Sequence, residues 1–246
     1  MALLKGGLSG SYPVGILASH AHDDCAQLVY AERGMMSFVT PGERWVLPPG
    51  RALWIPQGIV HQLEVRRPAA MRLLYLEPLA EGLTDWRRCR VMDVTPLLRE
   101  LILHCVNLPV PQDPSSSEDR LVRVLLDQVA RSTQAPVNLP EPSDPRALRL
   151  ARMMREGPAD RRPIEVLARE AGASARTLQR LFVEETGMPL GEWRNRLRLL
   201  LALERLAGGE SVAAAAYAMG YENSSSFIAA FRELFGDTPR RYLART

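Results

Sequence analysis

No apolar run in this chain approaches the roughly 20 residues of a membrane-spanning helix. Its first ten residues, MALLKGGLSG, lack the apolar stretch and cleavage site of a signal peptide. A cytoplasmic protein without membrane contact is the expectation. Cysteine is scarce: Cys25, Cys89 and Cys105 are odd in number and lack C-x-x-C spacing. Neither a disulfide framework nor a thiolate metal site is indicated, and free thiols are expected. Lysine occurs once, at Lys5. Histidine occurs four times, and two of the four stand one residue apart in HAHDDCAQ, residues 20–27.

What is present is ordinary globular composition, 46% hydrophobic and 24% charged. A length of 246 residues is comfortable for two domains. The net charge of +3 is unevenly spread. Residues 1–143 hold 14 basic and 15 acidic side chains, net −1, whereas residues 144–246 hold 17 and 13, net +4. Every basic residue in the second stretch is arginine. A basic half beside a neutral half suggests a polyanionic partner, although such an excess also fits a solvated surface.

Short apolar runs alternate with polar residues in the first half: LVYAE, MMSFVT, RWVL, ALWIP and MRLLYLE. Arg33-Gly34, Pro41-Gly42, Pro48-Pro49-Gly50 and Gln57-Gly58 punctuate them, which predicts an antiparallel sandwich or barrel. Two helices are predicted next, over about 94–107 and 118–132. The second carries Leu121, Leu125 and Val129 at i, i+4, i+8, with Val122 and Leu126 beside them. That stripe either covers the barrel or pairs with its copy in a dimer. STQAPVNLPEPSDP, with prolines at 136, 140, 142 and 145, then reads as a semi-stiff linker. The expected organisation is a domain over 1–132, a linker over 133–144 and a helical domain over 145–246. Asp144-Pro145 and Pro163 mark helix starts in the last.

The helical domain contains a repeat. TLQRLFVEETGMP (177–189) and SFIAAFRELFGDTP (226–239) align so that Leu178 matches Phe227, Phe182 matches Phe231 and Gly187 matches Gly236. A short alanine-rich helix and a glycine turn, Gly172 or Gly220, precede each piece, and proline then Trp193 or Tyr242 follows. Helix, glycine turn, serine-started helix is the shape of a helix-turn-helix. Leu178, Leu181 and Phe182 bury one face of the first unit's second helix and leave Arg176, Thr177, Gln179 and Arg180 toward the other. EWRNRLRLLLALERLAGG between the units predicts one long helix that sets their separation, so both enter successive major grooves on one side of DNA.

LAREAGASARTLQRLFVEETGMPLGEWRNRLRL followed by YAMGYENSSSFIAAFRELFGDTPRRY resembles the DNA-binding domain of AraC-type transcriptional regulators, over about residues 150–243. The resemblance implies a pair of helix-turn-helix units on adjacent major grooves. By position it places Arg176, Thr177, Gln179 and Arg180 toward DNA, with Arg180 suited to a bidentate guanine contact. In the second unit the matching residues are Asn223, Ser224, Ser225, Ser226 and Ala229. They lack the long side chains many relatives carry there, so that unit is expected to anchor more than it specifies, with Ser224 also a candidate N-cap.

HAHDDCAQ joined to PPGRALWIPQGIVHQLEV resembles the two motifs of the cupin jelly roll. If the first is a strand, His20 and His22 share a face. By position the resemblance assigns His20, His22, Gln27 and His61 to a site that holds a metal ion in many cupins. Gln27 stands where a glutamate is usual; a neutral amide lowers divalent-cation affinity, while three histidines still suit Zn, Ni or Fe(II). Asp23 or Asp24 is a candidate substitute. Three readings stay open: a bound divalent transition metal as cofactor, polar anchors for an organic effector, or hydrogen-bonded core and rim histidines. His104 is expected to be structural, and Trp45, Trp54 and Tyr75 to be core or pocket lining.

The expected fold class is α+β multidomain: an N-terminal cupin-like β-barrel (jelly roll) with two helices, then an all-α domain with two helix-turn-helix units. The expected function is a sequence-specific DNA-binding transcriptional regulator sensing a small molecule or metal ion, with no catalytic residues. Double-stranded DNA is its partner, and a homodimer through the 118–132 helix gives recognition of paired sites. The alternatives are a cupin-type metalloenzyme with a DNA-binding appendage, and an architectural DNA-binding protein whose barrel only dimerises.

Overall fold

A computed structural model describes residues 3–78, 86–111, 113, 115–135 and 137–244. The chain divides into two compact units, one of residues 1–41 with 45–137, the other of residues 42–44 with 138–244.

The first unit runs β1 (Leu4–Tyr12), β2 (Gly15–His20), β3 (Ala26–Arg33), β4 (Met36–Thr40), β5 (Glu43–Leu47), β6 (Arg51–Ile55), β7 (His61–Val65), β8 (Ala69–Leu76), β9 (Arg90–Asp93), α1 (Pro96–Cys105) and α2 (Ser117–Ala130). One sheet has the order β1-β8-β3-β6-β9, and β5-β4-β7-β2 run in order through the other. The registered pairs, such as Leu28 with Trp54 and Leu74, are antiparallel. The expected turns after Arg33, Pro41, Pro49 and Gln57 all pass through glycines of positive φ.

Strand β3 is buried on both faces, hence its near-continuous apolar sequence AQLVYA. Successive side chains alternate between faces, so Leu28 and Tyr30 join Trp54, Leu74 and Leu76 in a core under the helices. Leu98, Ile102, Val122, Leu125, Leu126 and Val129 complete that core. Gln27 and Val29, one residue out of phase, face the opposite way with Leu73 and Tyr75. Trp54 therefore belongs to the helix-facing core, and Tyr75 to the other face.

This corrects one expectation. Leu125 and Val129 are fully buried within their own protomer, so the apolar stripe of α2 covers the sheet and is not free to pair with a copy. The stripe's period fixes that something must cover it, and the sheet's apolar outer face is nearest in sequence. Asp119, also fully buried, tightens the seam: its carboxylate accepts from the Leu3 amide at 3.1 Å and the Arg123 guanidinium at 3.0 Å. The three cysteines are buried, and none forms a disulfide among the described residues. Burial pushes the Cys25 and Cys105 thiols up to about 11.

The segment expected to be a linker is pinned. Asp93 and Ala135 amides donate to Thr133 and Val91 carbonyls at 3.0 and 2.8 Å, and Val137 is fully buried. Pro136 lies outside the described residues. β10 (Asn138–Pro140) opens the second unit. Its carbonyls accept from Arg196 at 2.9 Å and from the Trp193 indole at 2.6 Å. Proline lacks a donor but its carbonyl still accepts, so side chains can help to hold an extended proline-rich chain.

The second unit continues with α3 (Pro145–Glu156), α4 (Ile164–Ala171), α5 (Ala175–Thr186), α6 (Leu190–Ala207), α7 (Val212–Ala218), α8 (Ser224–Phe235) and α9 (Pro239–Ala244). Asp144 caps α3 as expected, accepting from the Arg146 amide at 2.8 Å. Deleting buried α2 methyl groups should expose the cost of the covering helices. Leu125→Ala is expected to lower stability by about 2–5 kcal/mol, read as a lower urea midpoint of the full chain. A change under about 0.5 kcal/mol would contradict the packing described.

Candidate effector site and DNA interface

A cavity of about 120 Å³ lies between the two sheets. Leu8, Tyr12, Gln27, Val29, Leu73 and Tyr75 line it from one sheet, and Leu17, His20, Phe38, His61 and Leu63 from the other. Leu17 and His20 are three positions apart, which would point them to opposite faces of a regular strand. A register shift between Leu17 and His20 restores the phase and sets His20 opposite His61 on β7. His22 lies past the end of β2, so the expected strand alternation does not place it. Instead the Gly58 amide donates to the His22 carbonyl at 2.8 Å, and the Gln57 side chain donates to the Asp23 carbonyl. Gly58, at φ +75°, makes the turn that reaches this loop.

The three rings converge. Each offers one ligand nitrogen, and those atoms lie within 4.8 Å of one another. Centroid separations are 4.5 Å for His20–His61, 5.2 Å for His20–His22 and 5.9 Å for His22–His61. The cluster grades from exposed His20 through half-buried His22 to buried His61. His20 Nδ1 and His61 Nδ1 each lie 2.9 Å from a backbone carbonyl, of Ala18 and Ile59. A carbonyl only accepts, so each of these Nδ1 atoms carries a proton, and in the neutral ring Nε2 keeps its lone pair. Among the described residues, His22 Nε2 is buried without a hydrogen-bond partner. Burial, then the neighbouring His20, holds the His22 imidazole below its ordinary pKa, and burial does the same to His61. Neutral rings are the ligating form.

Gln27 is 3% exposed and lines the same cavity as His20 and His61. Among the described residues, Asp23 and Asp24 do not join the histidine group; both are exposed. His104 stands apart on the exposed last turn of α1.

In the second unit the repeat recurs in the backbone turns. Gly172 and Gly220 form the turns at φ +87° and +80°, and Gly187 and Gly236 end α5 and α8 at +69° and +77°. Phe182 meets Trp193 edge-on at 5.1 Å, as Phe231 meets Tyr242 at 5.8 Å. α5 buries Leu178, Leu181 and Phe182. Arg176, Gln179 and Arg180 are exposed, and Arg180 pairs with Glu184 at 2.7 Å. Thr177 is half-buried, its hydroxyl 2.8 Å from that of Ser174, the α5 cap. Val183, half exposed one turn further on, extends the same face and was missed; its i+7 spacing from Arg176 is the signal that finds it.

On α8 the cap is Asn223, not Ser224: its side chain accepts from the Ser226 amide at 2.9 Å. The Asn223 backbone is extended at φ −150°, which a cap requires, while Ser224 is already the first helical residue. Ser225, Ser226 and Ala229 are exposed, with Arg232 a turn beyond them.

The long helix α6 is 18 residues, about 27 Å at 1.5 Å per residue. A second bridge, absent from the sequence reading, runs beside it. The Arg198 guanidinium donates to the Pro158 and Asp160 carbonyls at 2.7 and 3.0 Å, Arg194 also donates to Asp160, and Arg161 donates to the Gly220 carbonyl at 3.1 Å. The loop before α4 thus touches the turn of the second helix-turn-helix.

The sequence has relatives among known proteins. A family model described as an AraC-like ligand binding domain matches residues 7–129, and one described as a helix-turn-helix domain matches residues 167–245. The chain is 35% identical to HTH-type transcriptional regulator NimR of Escherichia coli (strain K12), over 89% of this chain and 80% of that protein. The chain belongs to the AraC family of transcriptional regulators. Another relative, HTH-type transcriptional activator RhaS of Escherichia fergusonii, is 26% identical over 93% of this chain and 88% of that protein. Among solved structures, ToxT from Vibrio cholerae is 12% identical, covering 98% of this chain and 99% of that one, with a TM-score of 0.42. As an AraC-family regulator, the chain binds DNA through its helix-turn-helix region and carries a ligand-binding N-terminal domain, and the metalloenzyme alternative gives way to this reading. No described helix is long and apolar enough to cross a membrane.

Gly220 and Gly236 separate two costs in this family domain. A Cβ at Gly236 meets open space, while one at Gly220 lies 3.1 Å from the Ala159 Cα. Gly236→Ala is expected to cost about 1–2 kcal/mol from its left-handed φ alone. Gly220→Ala should lower the thermal midpoint further and weaken operator binding; equal midpoints would remove the second bridge.

Proposed function

We propose that this regulator captures its effector at the His20–His22–His61 edge of the inter-sheet cavity and transmits occupancy to α5 and α8 as a population shift. The observation that carries this reading is the convergence of three imidazoles, two with Nδ1 committed to carbonyls, at the edge of a cavity in the ligand-binding domain that His20 and His61 line.

The residues fit a divalent transition metal. The set is three imidazole nitrogens, and one of them, His22 Nε2, is buried without a hydrogen-bond partner among the described residues. His20, His22 and His61 would hold Zn, Ni or Fe(II), and the ion would supply a positive Lewis-acid centre at the cavity wall. The apolar walls favour a second reading, in which the same histidines and Gln27 anchor an organic effector directly.

For DNA, α5 is the base reader. Arg180 is held only by an exposed pair with Glu184, worth little and easily exchanged for a guanine edge. Arg176 and Gln179 flank it, and Val183 is placed for a thymine methyl. Thr177 supports the α5 cap. On α8, Ser225, Ser226 and Ala229 give phosphate or close-packing contacts, with Arg232 adding charge, while Asn223 and Ser224 shape the helix start. A homodimer, giving paired sites, would use the outward side of α1 and α2, where Leu97 and Val124 are exposed. The location proposed is cytoplasmic.

Two measurements test this. Arg180→Ala should cost about 1–3 kcal/mol of specific binding and relax one base position; an unchanged sequence preference in a randomised operator library rejects the role. For the triad, protein purified without an affinity tag and dialysed against Zn²⁺ should retain about one equivalent, lost in His61→Ala. Equal retention by both would leave the direct organic anchor ahead.

A further inference from the structure

We infer that the molecule completing this site is a small carboxylate with an apolar body of about one ring, and that Gln27 keeps the site selective for it by not supplying a carboxylate of its own. This rests on the metal reading of the triad.

The argument is charge balance in a confined space. His20, His22 and His61 bring no charge in their ligating form, and Gln27 is a neutral amide. No residue lining the cavity is acidic among those described. Asp23 and Asp24 are exposed and outside the histidine group. A dication held there would face walls of Leu17, Val29, Phe38, Leu63 and Leu73, with the carboxylates of Asp23 and Asp24 acting on it from the exposed side outside the cavity, and a low-dielectric wall penalises such a charge. An anion from solution removes that penalty, and a carboxylate is the common small anion that also ligates such ions. With glutamate at position 27 the protein would balance the charge itself and the incentive would vanish.

Size and access set the rest of the molecule. A cavity of about 150 Å³ lined by aliphatic and aromatic side chains takes one benzene, and this one is about 120 Å³. The body that fits is therefore a single ring or a short aliphatic chain. β2 is exposed along its whole length and His20 is exposed, so the histidine edge is the open side. A carboxylate head at that edge with its apolar body inward satisfies both surfaces. Tyr12 and Tyr75, whose phenols burial holds above their ordinary pKa, stay protonated and add no competing anion.

The experiment uses the full-length protein stripped with chelator and reloaded with Co²⁺, whose visible absorption reports its ligands. Benzoate and hexanoate should alter the Co²⁺ spectrum and raise the melting temperature of the loaded protein, whereas uncharged benzyl alcohol at the same concentration should do neither. Gln27→Glu should bind Co²⁺ about tenfold tighter and benzoate about tenfold more weakly, while Gln27→Met, which stays neutral, should keep the benzoate response. Three results would overturn the inference. If Co²⁺ binds in a manner that His61→Ala abolishes, yet neither carboxylate changes the spectrum, the carboxylate fails and the metal reading stands. If benzyl alcohol acts as strongly as benzoate, charge is not what the site selects. If Co²⁺ does not bind through the histidines at all, both readings fall together.

Discussion

A sheet buried on both faces is the constraint from which the N-terminal unit follows. The sheet β1-β8-β3-β6-β9 presents Leu28, Tyr30, Leu74 and Leu76 to one side and Val29, Leu73 and Tyr75 to the other. Neither face tolerates water, so each needs a cover. α1 and α2 close the first with a stripe that includes Ile102, Leu125 and Val129. The second sheet closes the other but leaves about 120 Å³ unfilled. Because interiors are otherwise packed to crystal-like density, an unfilled volume edged by three imidazoles is a feature that packing alone does not produce. Rigid backing for the cavity and the use of α2 as a lid on the far face are thus one arrangement, and α2 cannot leave without unmaking the strand that carries Gln27.

The C-terminal unit depends on a different device, the same backbone solution used twice. Left-handed glycines at 172 and 187 recur at 220 and 236, and the Phe182–Trp193 contact recurs as Phe231–Tyr242. Two copies of a rigid hook are useful for reading DNA only if their separation is fixed. α6 fixes one line between them, but a single helix leaves rotation about its own axis unconstrained. The Pro158–Asp160 carbonyls bound by Arg198 and Arg194, with Ala159 seated against Gly220, remove that freedom. Half-buried arginines on α6 thus spend their donors on the protein, and the unit's positive charge overstates what faces DNA.

Much of this was legible in the sequence, and the parts that were not have local causes. The two-unit organisation, the α3 cap at Asp144, the buried triplet Leu178, Leu181 and Phe182, and the repeat all follow from periodicity and punctuation, which act over a few residues. The histidine set was assigned through the resemblance to the cupin motifs, with the strand rule applied to His20 and His22; a register shift places His20 opposite His61, and the Gly58 turn holds His22 beyond the end of β2, and neither leaves a mark in residue order. The stripe of α2 carried its own ambiguity, because amphipathicity states that a face is covered without naming the cover. The expected linker over 133–144 spans the boundary between the units, and composition does not show what holds its chain: proline removes donors but not acceptors, so the carbonyls of Asn138 and Pro140 remain open to Arg196 and Trp193. The cap on α8 shifted by one residue because Asn223 and Ser224 are both good caps and only backbone φ separates them.

The proposed regulation has a thermodynamic boundary of its own. An effector at the histidine edge alters DNA affinity only through the difference in its affinity for the two conformational states, and DNA must alter effector affinity by the same factor. A cavity backed by a doubly buried sheet is too stiff to supply that difference by gradual deformation. The adjustable parts are at its edge: β2, exposed throughout, and the His22 loop held by the Gly58 amide and the Gln57 side chain. Drawing His22 onto a ligand shared with His20 and His61 would load precisely those contacts, because the carbonyl that Gly58 holds belongs to His22 itself. The same residue therefore stands at the ligand and at the most easily shifted backbone near it, and that coincidence makes the loop, rather than the packed core, the element on which occupancy can act.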